Sequence, residues 1–190
     1  MTNNTTGSTT QKRYVYHWVP SNMTGTTLFP LNRLVELMPD VAAIHFNKYD
    51  ARENRHVLLK RKIPLLDCLW NDVLHFTAVH PKVTNDNVIA AGVDPKIIKK
   101  KKYFAIPIEM LDPQLIAVLD WQKFTMEKDA SRYSHFDATK MDYYATVPQA
   151  TLDFYKERTS NGKFFGTYHF VPHILYKGSV DVTGLEIIEV

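Results

Sequence analysis

The chain has 190 residues, 45% of them hydrophobic and 23% charged, with a formal net charge of +3 and a single cysteine. That length suits one domain with a buried core, and the balance of apolar and charged residues excludes wholesale disorder and a fibrous repeat. So small a charge does not by itself signal a nucleic-acid partner. No run of about 18 apolar residues offers a membrane span, and the lone Cys68 excludes an internal disulfide and suits a reducing compartment, so a cytoplasmic protein is expected, with a translocated effector that lacks a classical signal as the alternative.

Residues 1–12 are dominated by Thr, Asn, Ser and Gly. Such a segment cannot bury enough apolar surface to offset the entropy of ordering it, so it is expected to be a disordered tail, and it lacks the apolar stretch of a secretory signal. Residues 13–190 are then one domain. Residues 14–19 alternate and are rich in aromatic and β-branched side chains, a first strand stopped by Pro20, with a loop around Gly25 after it. Leu31, Leu34, Leu37 and Met38 repeat at helical spacing and predict a short amphipathic helix over 28–38, interrupted by Pro39.

Asp40 is a candidate N-cap for the longest helix, since no Gly or Pro follows until Pro64. Tyr49, Arg52 and His56 fall at i, i+3 and i+7 on it, so a phenol, a guanidinium and an imidazole share one face. Pairing of Arg52 with surface carboxylates is the competing explanation. Strands are predicted over 73–79, 103–108 and 115–121, with a short helix over 85–91 ended by Gly92; Pro107 argues for an edge or bulge position of its strand. Residues 123–146 read as loop with some short helix, followed by an amphipathic helix over 148–159 closed by Asn161-Gly162, and by strands over 164–170, 173–177 and 185–190. This order defines an α+β domain with a largely antiparallel sheet split by helices. No G-x-G-x-x-G follows a strand and no P-loop lysine motif occurs, which excludes the usual Rossmann and Walker sites.

Four groups of residues bear on chemistry. His75 and His80, with Asp72, and His169 and His173 invite a histidine-ligated metal hydrolase, but their spacing matches no metal motif, so no metal is expected. Cys68 lies in an apolar run and reads as core. Lys96 and the run Lys99, Lys100, Lys101 and Lys102 can neutralise several phosphates and suit a non-catalytic nucleic-acid or protein interaction module; a solvated turn or strand edge is the plainer account. Tyr14, Tyr16, His17 and Trp18 set aromatic and imidazole groups beside a Pro-Ser-Asn-Met-Thr-Gly loop, a composition that stacks on flat rings and holds hydroxyls, as a nucleotide site does, or that simply packs a core.

Tyr16-His17, followed by Asn22, Gly25, Leu28, Pro30 and Leu34, resembles the opening of bacterial-type ADP-ribosyltransferases, of the DarT-like and rifampicin-modifying families. Residues 69–81 resemble a later strand of those proteins, and residues 172–178 their penultimate strand. The resemblance implies an ADP-ribosyltransferase-like fold and an enzyme that binds NAD as substrate and transfers ADP-ribose to a nucleic-acid or protein acceptor. It further implies that Tyr16, His17, Asn22, Tyr49 and Arg52 line the NAD site and that His17, Arg52 and His173 are catalytic. His173 stands where those families place a glutamate that stabilises the charge developing as nicotinamide leaves, and neither Glu157 nor Glu186 takes up that position.

Overall fold

Alternation in the first strand decides which of its side chains meet the core. In a computed structural model, which describes residues 13–50, 56–120, 132–163 and 165–190, β1 (Tyr14–Trp18) buries Val15 completely and leaves Trp18 exposed. The expected N-terminal tail lies outside the described residues. After β1 come β2 (Thr27–Leu28), α1 (Leu31–Leu37) and α2 (Pro39–Asp50). Pro30 precedes α1 and Pro39 opens α2, positions where a missing N–H leaves no bond unmade. Asp40 therefore sits in the first turn of α2 and not at its cap, still close to the positive end of the helix dipole.

The expected run toward Pro64 yields α2 and α3 (His56–Leu59), and the chain leaves helix before the proline. β3 (Lys62–Ile63) and β4 (Cys68–Leu69) pair antiparallel around a 3-10 turn, Pro64–Leu66, with Asp67 left-handed at φ 42°. Then follow β5 (Leu74–Phe76), α4 (Pro81–Ala90), β6 (Lys102–Pro107), β7 (Ile116–Leu119) and β8 (Tyr133–His135). The chain ends with α5 (Met141–Tyr144), α6 (Gln149–Ser160), β9 (His173–Tyr176), β10 (Val180–Asp181) and β11 (Ile187–Glu189).

Two antiparallel sheets dominate, one in the order β1-β6-β11 and one in the order β5-β9-β7-β8. Tyr16 and Thr77 exchange backbone hydrogen bonds of 2.7 and 3.2 Å, so β1 and the continuation of β5 join the two sheets edge to edge. One core serves both. Val15, Phe104 and Ile106 from the first sheet meet Leu74, Phe76, Val118, Ile174 and Tyr176 from the second, and the β2–β10 pair adds Leu28 and Val180. On the other face of the second sheet, Ala117, Leu119 and Leu175 pack under Ile63, Leu66 and Val73. β7 is thus buried on both faces, which is why it reads as an unbroken apolar run.

Two expectations are corrected. β6 is the central strand of its sheet and not an edge; Pro107 is tolerated because it is the last residue, opposite Tyr14, and the ladder resumes where the Ile108 N–H donates to the Arg13 carbonyl at 2.9 Å. The strand expected over 164–170 is absent from the described part of that segment: residues 165–166 have no regular structure and 167–170 form turns, with Phe170 left-handed at φ 62°. Their aromatic content mimics strand preference, but Phe165, His169 and Phe170 spend it on the ring of Phe154 in α6.

Candidate functional site

Strand alternation turns Val15 and His17 toward the shared core and Tyr14, Tyr16 and Trp18 away from it. His17 is partly buried, its ring edge-on to Phe76 at 5.6 Å. Its Nδ1 lies 2.7 Å from the Trp18 carbonyl, and since a carbonyl only accepts, Nδ1 carries the proton and donates. Tyr16, on the opposite side of β1, meets His80 edge-on at 5.1 Å; burial, reinforced by Glu186, raises its phenol above the usual range. Asn22 is partly buried in the loop after β1, with its amide nitrogen unpaired among the described residues. Arg52 and the side chains of Tyr49 and His56 lie outside the described residues.

His173 does not share a cleft with His17. Its neighbour Ile174 pairs with Phe76 and Val118 and points into the shared core, so His173 faces the far side of the sheet. There its Nε2 donates to the Tyr168 carbonyl at 3.2 Å, and burial holds its pKa down at about 4, with His169 and Arg61 adding in the same direction. Of the residues that the resemblance makes catalytic, His17 and His173 thus face different sides, with a sheet lying between the directions they face. The Asp120 carboxylate, buried on the strand exit after β7, accepts from the Tyr143 hydroxyl at 2.6 Å, which helps push that phenol up to about 12, after burial itself.

The paired histidines have other duties. The His80 Nδ1 accepts from the Lys82 N–H at 3.1 Å and caps α4, while the His75 Nε2 donates to the Trp70 carbonyl at 3.0 Å. His169 stacks on Phe154 at 4.1 Å, and burial together with Arg158 lowers its pKa. Among the described residues no group of three or more His, Cys, Asp or Glu side chains comes together to hold a metal ion. Cys68 lines a shallow pocket of about 240 Å³ with Lys62, Asp67, Leu69 and Asp72, and burial raises its thiol pKa, which disfavours the reactive thiolate.

Tertiary pairing does unite two segments that are far apart in sequence. Trp18 stands opposite Tyr103, and the Val19 N–H donates to the Lys102 carbonyl at 2.9 Å, so the exit of β1 lies against the lysine run that enters β6. Trp18 is 56% exposed, and the Lys101 Nζ lies 5.2 Å from its ring centroid. Lys99, Lys100 and Lys102 are exposed; Glu189 meets Lys100 and Lys102 at 4.0 and 3.8 Å. The aromatic and basic residues were each legible in the sequence, but their contact was not, because it depends on the register of β1 against β6. Among known protein families, curated proteins and solved structures, none matches this chain.

Proposed function

We propose that this protein binds nucleic acid through the surface formed by Lys99, Lys100, Lys101 and Lys102 at the entry to β6. The observation that supports this reading is the run of four consecutive lysines at one strand entry, with Lys100 84% exposed and Lys102 62% exposed at the side chain. Glu189 meets two of them near the outer limit of an ion pair, and exposed pairs of that kind are worth about 0–1 kcal/mol, so a phosphate displaces it at little cost. Neutralising about four phosphates releases their counterions and gives a slope of about −3 in log K against log salt on a single strand.

A titration of labelled oligonucleotide at low and moderate salt tests it. Lys99→Gln combined with Lys100→Gln is expected to weaken binding and to make the slope shallower by about 1.4. Binding that ignores both salt and these substitutions would sink the proposal. The NAD-dependent ADP-ribosyltransferase reading places His17, Arg52 and His173 in one site; His17 and His173 face different sides of a sheet, and Arg52 lies outside the described residues. Calorimetry with NAD decides it: a binding heat that vanishes in His17→Ala would return the function to that class.

A further inference from the structure

Building on the nucleic-acid reading above, we infer that the strand bound is single-stranded, RNA or DNA, and that one of its bases stacks on Trp18. A tryptophan ring is a large apolar surface, and folding normally covers it; here 56% remains exposed beside a lysine cluster. The backbone that carries the ring is also held from several sides. β1 pairs Trp18 with Tyr103, the next residue's N–H donates to the Lys102 carbonyl at 2.9 Å, and the Trp18 carbonyl accepts from the His17 Nδ1 at 2.7 Å. Val19 then packs against the core, so the exit of β1 has no slack.

Lys101 is fixed independently. Its backbone and that of Val190 exchange hydrogen bonds of 2.8 and 3.0 Å, and its Nζ sits 5.2 Å from the indole centroid. An exposed cation–π contact is weaker than base stacking on the same ring. An incoming base takes the ring face, and the ammonium moves to the phosphate that follows. A duplex cannot use such a platform, because its bases already stack on one another and present edges, while a single strand offers free faces. An aromatic face with Lys101 against it, and Lys100 and Lys102 on the neighbouring side of the same strand entry, thus offers both a base platform and phosphate partners to a single strand.

The test uses the full chain with fluorescein-labelled oligo(dT), oligo(rU), a hairpin duplex and phosphatidylserine vesicles, at low salt. The expected result is binding of the single strands with quenching of tryptophan fluorescence, weaker duplex binding, and a loss of about tenfold or more in single-strand affinity in Trp18→Ala that Trp18→Phe largely restores. The two oligomers separate DNA from RNA as the source. Equal affinity for the duplex, with Trp18→Ala binding like wild type, would overturn the single-strand inference and leave the lysine reading standing. No binding to any oligonucleotide, with or without vesicle binding, would overturn both. Circular dichroism of each variant confirms that the fold is kept.

Discussion

His173 carries a pH dependence that its surroundings impose. It donates from Nε2 to the Tyr168 carbonyl, and burial lowers its pKa to about 4 from an ordinary value of 6.5. The folded state thus resists taking a proton that the unfolded chain accepts. The stabilising difference is fully present above pH 6.5 and is lost as pH falls toward 4. With allowance for its partial exposure, the loss is on the order of 2 kcal/mol. Thermal melts between pH 7 and pH 4 should show Tm falling across this window, and His173→Gln, which keeps an N–H donor without a titrating ring, should flatten the fall. An unchanged slope in that variant would move the dependence to other groups, His169 first, since burial and Arg158 lower it as well.

Single side chains also tie elements together. Asp72 accepts from the Asn32 side-chain amide at 2.7 Å through Oδ1 and from the Leu69 N–H at 2.7 Å through Oδ2, so one carboxylate links α1 to the turn between β4 and β5. Asp72→Ala leaves two partly buried donors without their acceptor and is expected to cost about 2 kcal/mol, read as a lower urea midpoint at unchanged m. Asp72→Asn keeps one acceptor and should recover about half.

Elements differ in how much of them the sequence carries. β1, β6, β7 and β9 alternate or run apolar for four to six residues and were legible, as were α1 and α6 with their proline and glycine punctuation; α4 was legible only in its second half, because His80-Pro81 read as the end of a strand and is instead the cap and first turn of the helix. β2, β3, β4 and β10 are two residues long and have no period to read; they exist because a partner strand lies beside them. The 165–170 segment failed for the opposite reason, since its aromatic residues look like strand but serve as packing for Phe154.

Across the domain, the Tyr16–Thr77 bridge and the shared core join the two sheets, which are therefore expected to unfold together. Val15 in β1 and Ile174 in β9 are both fully buried in that core, although they belong to different sheets. Val15→Ala should cost roughly 1–3 kcal/mol and Ile174→Ala about 2–5 kcal/mol, each lowering a single transition that near-UV and far-UV circular dichroism report together. Separate transitions for the two probes would mean that the sheets unfold independently. Among the described residues no helix is long and apolar enough to cross a membrane.

By itself the sequence determined the α+β class, most long elements and the presence of an aromatic–histidine strand and a lysine run, because periodicity, proline punctuation and charge are local properties. Only the tertiary structure decided how those residues combine. A strand sends neighbouring side chains to opposite faces, and which face becomes core depends on partners far along the chain. That placed His17 in the core layer, sent His173 to the far side of the sheet, and brought Trp18 against Lys101 through the pairing of β1 with β6.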